Sequence, residues 1–261
     1  HKLMPNSSLY NVPWAMRLEG PLNTAALQSA INKLLARHET LHTRFTEIAG
    51  EPMQYLAKDA ELPLHIIDLR LESEAEVQQA LSSLSQKTFS LDTAPLLRVH
   101  LLRDTDNSQI LLFVIHHIIA DAWSLGLLFD ELMTLYAAAC EGTEARLAPL
   151  EIQYADYAAW QRNHLSGDEL QKQLSFWSSN LRNAPAILEL PSDRSRPAVQ
   201  SYRGKVASRS LPQELLSKLH QLGNGQGATV FTTMLAAFNV MLSGYSGQND
   251  VVVGTPVAGR Q

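Results

Sequence analysis

A single cysteine, Cys140, stands among the 261 residues, so no internal disulfide can form, as suits a reducing, cytoplasmic setting. Clustered positive charge is also lacking. Lys and Arg number 21 against 26 Asp and Glu, a formal net charge of −5. Nucleic-acid backbones and anionic membranes are held by basic patches, so neither is an expected partner. No apolar run approaches the roughly 20 residues of a membrane span; the longest is interrupted by His116, His117 and Asp121. No secretory signal, internal repeat or low-complexity tract is evident. The chain opens on His1-Lys2, which reads as a piece cut from something longer. What is present is globular material, 45% hydrophobic, enough for one large domain or two lobes.

Helical and strand periodicities alternate, which predicts a mixed α/β fold. Residues 12–18 read as a strand, and Ala26, Leu27, Ala30, Ile31, Leu34 and Leu35 recur at helical spacing. That helix ends near Arg37-His38, basic residues that suit a carboxyl terminus electrostatically. Residues 43–48 and 53–56 form a hairpin around Ala49-Gly50-Glu51-Pro52, and 64–69 is a further strand. A helix at 74–88 is followed by strands at 96–102 and 110–115. Leu125, Leu128, Leu132, Leu135 and Ala139 share one face of the next helix, which Gly142 stops. Cys140 falls on this apolar stripe and is expected to be packed. Helices at 154–165 and 168–181 precede prolines 185, 191 and 197, which punctuate a polar connection. Beyond it, 205–211 reads as a strand, 213–222 as a helix, 230–242 as a buried helix and 250–254 as a central strand.

Chemistry is expected at His116-His117-Ile118-Ile119-Ala120-Asp121, where the most apolar strand emerges. Polar groups there are costly unless each finds a partner. Adjacent strand residues face opposite ways, so the two rings cannot chelate one metal, and no metal is expected. His116 is expected to be structural and His117 to face a pocket. Asp121 either braces the site or caps the next helix. Ser124 is expected to cap a helix starting at Leu125, and Trp123 to pack on a wall. A carboxylate at Asp121 needs a cation; Arg260 is the first candidate, Arg44 and Arg37 the next.

Four segments together resemble the condensation domain of nonribosomal peptide synthetases. They are Arg37-His38-Glu39-Thr40-Leu41-His42-Thr43-Arg44-Phe45, then His116-His117-Ile118-Ile119-Ala120-Asp121-Ala122-Trp123-Ser124, then Tyr154-Ala155-Asp156-Tyr157-Ala158-Ala159-Trp160, and finally Val253-Gly254-Thr255-Pro256-Val257-Ala258-Gly259-Arg260. The resemblance implies an α/β, chloramphenicol-acetyltransferase-like two-lobed fold. Residues 1–183 would form the complete or near-complete N-terminal lobe, 184–200 the connection and 201–261 the start of the C-terminal lobe. It also implies amide bond formation between a donor acyl or peptidyl thioester and an acceptor aminoacyl thioester. Both would ride on phosphopantetheine arms of upstream and downstream carrier proteins, beside adenylation domains, with no cofactor bound by the domain itself. His117 would be the catalytic residue, supported by His116, Asp121, Ala122, Trp123, Ser124 and Arg260.

The chain departs from the family at His42, where arginine is usual, and at Ala122, where glycine is usual. Rival readings are a coenzyme A-dependent acyltransferase, an epimerisation domain, and a non-catalytic domain of this fold that recruits a tailoring enzyme. The segments around Glu39 and Pro256 disfavour the first. Leu125, where epimerisation domains tend to carry tryptophan, disfavours the second. His117 itself disfavours the third.

Overall fold

The apolar run ending at His116 becomes the second strand of a four-stranded sheet. In a computed structural model, residues 7–195, 197–199, 204 and 206–257 are described. The chain divides into two compact units, the first ending at His164 and the second beginning at Leu165. This division falls ahead of the proline-punctuated stretch at 184–200.

In chain order the first unit contains β1 (Asn11–Glu19), α1 (Thr24–Arg37), a 3-10 turn (Glu39–His42), β2 (Thr43–Ile48), β3 (Glu51–Leu56), β4 (Leu64–Asp68) and α2 (Glu74–Gln86). There follow β5 (Leu97–Arg103), β6 (Ser108–His116), α3 (Ala122–Glu141) and α4 (Tyr154–His164). The main sheet runs β1-β6-β5-β4. Its β1/β6 and β5/β6 pairs are antiparallel, while β4 and β5 are parallel and joined through α2, the crossover such a pair requires. β1 alternates between more and less covered positions, whereas β6 is buried from Ile110 to His116. Length and apolar content separate the two cases as expected, because only a strand covered on both faces loses its alternation.

The sheet carries helices on its two faces. Trp14 meets Phe129 of α3 edge-on at 5.2 Å. On the opposite face Arg98 lies 3.8 Å over Phe89, after α2, and donates to the carbonyls of Lys87 and Thr88. Leu27, Ile31, Leu34 and Leu35 of α1 join Leu128, Leu132 and Leu135 of α3 in one core with the strands. Ser73 opens α2 with a capping box closed by Glu76. The β2/β3 hairpin turns on two residues, Ala49 (φ 51°) and Gly50 (φ 86°), tighter than the four expected. Positive φ at both matches the turn whose twist suits a hairpin.

His100 shares the α2-covered face and stacks on His65 across the β4/β5 pair, ring centres 5.2 Å apart. It is buried, and burial, with His65, Lys87 and Arg98 nearby, lowers its pKa to about 4. Folding therefore favours the neutral ring. The unfolded chain takes up this proton near pH 6.5 and the folded one only near 4, so this contribution is full above 6.5 and lost as pH falls toward 4. At most ~3 kcal/mol is involved. Denaturant melts of wild type and His100→Phe are expected to differ in their pH dependence across that window, the variant losing less stability as pH falls.

The second unit contains α5 (Gly167–Asn180), α6 (Gln213–Asn224) and α7 (Val230–Ser246). Three expectations fail here. Residues 206–211 form no strand (Lys205 lies outside the described residues), and 250–254 form none either. A strand needs ladder partners, and among the described residues none pairs with these segments. α7 reads as a buried helix from its composition, yet only Leu242 is buried; Phe231 and Phe238 are 61% and 44% exposed. Part of the proline-rich connection is held by a side chain acting as a surrogate strand. Gln248 accepts from the Glu189 N–H and donates to the Ile187 carbonyl.

Candidate active site at the end of strand β6

Two backbone bonds, one to each side, fix the histidine pair. The His116 N–H donates to Leu96 O at 2.9 Å and the His117 N–H to Tyr10 O at 2.8 Å. The side chains then diverge as the pleat demands. His116 is 4% exposed, edge-on to Phe89 and tilted against Tyr10. Its Nδ1 accepts the Ile118 N–H at 3.1 Å, and burial pushes its pKa down, keeping the ring neutral as an acceptor must be. His117 is exposed. Ile119 and Ala120 return to the core and pin the turn between them.

Asp121 is the N-cap of α3, and the helix starts at Ala122, three residues ahead of the expected Leu125. The Asp121 carboxylate accepts from Ser124 N–H at 2.9 Å and Ser124 Oγ at 2.6 Å. Ser124 thus lies inside the first turn and does not cap it. Aspartate and serine are comparable caps by type, so only the path of the chain chooses between them. Asp121→Ala is expected to cost about 1–2 kcal/mol in a denaturant melt, with Asp121→Asn recovering most of it.

Trp123, expected against a wall, is 75% exposed, because the buried stripe of α3 runs through Leu128, Glu131, Leu132 and Leu135. Ala122 is exposed as well. Cys140 is exposed, not packed. Tyr154, Tyr157 and Trp160 meet in turn with tilted rings at 5.8 and 5.6 Å, and Trp160 stacks on His164 at 5.0 Å. α4 fully buries none of its residues, and it lies against the 3-10 turn Glu39–His42. Arg260 lies outside the described residues.

The alternative cations for Asp121 are engaged elsewhere. Arg44 lies over Tyr55 at 5.9 Å. Arg37 Nε donates to both carboxylate oxygens of buried Glu131 at 3.1 Å, and His38 Nε2 lies 2.6 Å from the same group. The Arg37-His38 pair is therefore no mere helix-end charge. Sequence reasoning missed Glu131, although an acid at the fourth position after Leu127 and the third after Leu128, inside an apolar stripe, was the available signal. His42 leaves its Nε2 buried without a hydrogen-bond partner among the described residues, beside a cavity of about 550 Å³ lined by Gln28, Asn32 and Leu62. Among the described residues no group of three or more His, Cys, Asp or Glu could hold a metal ion. No helix there is long and apolar enough to cross a membrane.

A family model for the condensation domain matches residues 1–261. The chain belongs to the condensation domain family. A linear gramicidin synthase of Brevibacillus parabrevis is 44% identical over 263 residues, 99% of this chain and 3% of the relative. Phosphinothricin tripeptide synthetase PhsC of Streptomyces viridochromogenes is 42% identical, over 99% of this chain and 24% of its own length. Among solved structures, the four-domain nonribosomal peptide synthetase holo-AB3403, bound to AMP and glycine, superposes with a TM-score of 0.85 at 26% identity, covering 98% of this chain and 19% of that one. The X-domain in complex with OxyB from teicoplanin biosynthesis superposes at 0.80 with 31% identity, over 91% and 53% of the two chains. This condensation domain thus spans only a small part of its curated relatives. Its fold is the α/β, chloramphenicol-acetyltransferase-like one of condensation domains, a family of acyl-transferring enzymes in nonribosomal peptide synthesis.

Proposed function

We propose that this chain joins a donor acyl or peptidyl thioester to an acceptor aminoacyl thioester, with His117 at the reaction centre. Both substrates arrive on phosphopantetheine arms of carrier proteins, and adenylation domains of the same synthetase load them. The observation that carries the reading is the exposed His117 ring on a backbone held from both sides, directly before the capped turn at Asp121.

The acceptor nitrogen attacks the thioester carbonyl, and the C–S bond breaks as the C–N bond forms. His117 takes the proton lost by nitrogen and passes it to the departing thiolate. His116, Asp121 and Ser124 support this ring by fixing the turn that bears it, with Ala122 and Trp123 flanking it in the same reading. A pair between Asp121 and Arg260 belongs to the same reading, as do lobes at 1–183 and 201–261 joined through 184–200. In a double-mutant cycle, Asp121→Asn and Arg260→Gln are expected to be non-additive; additive losses would remove the pair from the proposal.

The likeness to an X-domain seen in complex with OxyB supports a second reading, a non-catalytic module of this fold that recruits a tailoring enzyme. Single-turnover condensation between two loaded carrier proteins separates them. Amide product that disappears with His117→Ala supports the enzyme, while no product from the wild-type synthetase with competent carriers supports the module.

A further inference from the structure

We propose that Glu131 is a positioning residue for the active-site turn, acting by gathering Arg37 and His38 and so fixing the register of α3 against α1. The proposal rests on the reading of His117 given above. Four polar residues are buried among the described ones, Thr43, His100, His116 and Glu131, and only the last is acidic. It sits where the helical stripe calls for an apolar residue, between Leu128 and Leu132. A buried ion pair seldom adds net stability over well-packed apolar side chains, so a carboxylate here is poorly explained by stability alone.

Its contacts link several elements. Arg37 Nε is shared by both Glu131 oxygens at 3.1 Å, and Arg37 Nη2 donates to Ala148 O at 2.6 Å. His38 Nε2 lies 2.6 Å from Oε2. Gln153 donates to Arg37 O at 3.0 Å and accepts the Glu39 N–H at 3.2 Å, and its own N–H donates to Asp156 at the start of α4. The carboxyl end of α1 thus meets the middle of α3 on the Glu131 carboxylate, and the lead-in to α4 joins them through Arg37.

That carboxylate lies ten residues, about 15 Å of helix, from the Asp121 cap. Apolar burial is non-directional, whereas a carboxylate hydrogen-bonded to two partners is satisfied only in a narrow range of geometries. A slight rotation of α3 would displace Asp121, Ser124 and the turn bearing His117 together. Misplacement by an ångström is worth up to about 100-fold in rate.

Two variants test this in the intact synthetase. One is Glu131→Gln; the other replaces the cluster with Arg37→Met, His38→Phe and Glu131→Leu together. Both are expected to lower kcat about 10- to 100-fold with KM for the loaded acceptor within about twofold. Amide hydrogen exchange at residues 118–125 is expected to quicken at least about tenfold, a readout independent of chemistry. A folded cluster variant with wild-type kcat and wild-type exchange would overturn the proposal. If the cluster variant does not fold, the same outcome in Glu131→Gln overturns it. Should His117→Ala condense normally, the functional reading fails, while the exchange result still decides the positioning role.

Discussion

Replacing His117 with alanine is expected to reduce condensation by about 10²- to 10⁴-fold, the range by which a positioned acid–base group accelerates a reaction. Stability should change by no more than ~0.5 kcal/mol, because the ring is exposed and its removal leaves no cavity. The backbone bonds that hold the turn, His117 N–H to Tyr10 O and Ile119 N–H to His116 O, do not involve the side chain. Product formation from loaded carriers and a thermal melt of the same preparation check both halves. Wild-type turnover in a folded His117→Ala protein would remove the imidazole from the mechanism.

The neighbouring residue should behave the other way. His116→Ala is expected to cost about 2–4 kcal/mol of unfolding free energy, the scale of a large-to-small change in a core. Two losses add. The ring's packing against Phe89 and Tyr10 disappears, and the Ile118 N–H loses the acceptor it finds at Nδ1. At roughly 2–4 °C per kcal/mol for a chain of this size, the melting midpoint should fall by several degrees or more. Any activity loss should follow the fraction folded, so assays at lower temperature should recover turnover in His116→Ala but not in His117→Ala. The pair thus separates a fold defect from a chemical one at adjacent positions.

Much of the first unit is legible in the sequence. β6 announces itself by an unbroken apolar run, α1 by its i, i+3, i+4 spacing, and the end of α3 by Gly142, which takes φ 67° as a helix terminus demands. The opposed orientations of His116 and His117 follow from the two-residue repeat of a strand. Less is legible beyond residue 200. Segments 206–211 and 250–254 carry strand-like residues, but a strand exists only with a ladder partner, which no local pattern supplies. Likewise α7 is apolar on most sides, yet its exposure depends on what lies against it and not on its own composition.

The family came from the resemblance of four segments. Local chemistry determined by itself which residues form the sheet's buried strand and that a histidine pair ends it with rings opposed. These depend on spacing along one chain, where sterics and backbone hydrogen bonding act over a few residues. Only the tertiary structure decided that Asp121 caps α3, that Trp123 faces outward, and that Arg37 and His38 converge on Glu131. The convergence on Glu131 joins groups about a hundred positions apart, and a charge finds such a partner through the packing of whole helices, which no short stretch of sequence encodes; the Asp121 cap spans three residues, and the path of the chain chose it over Ser124.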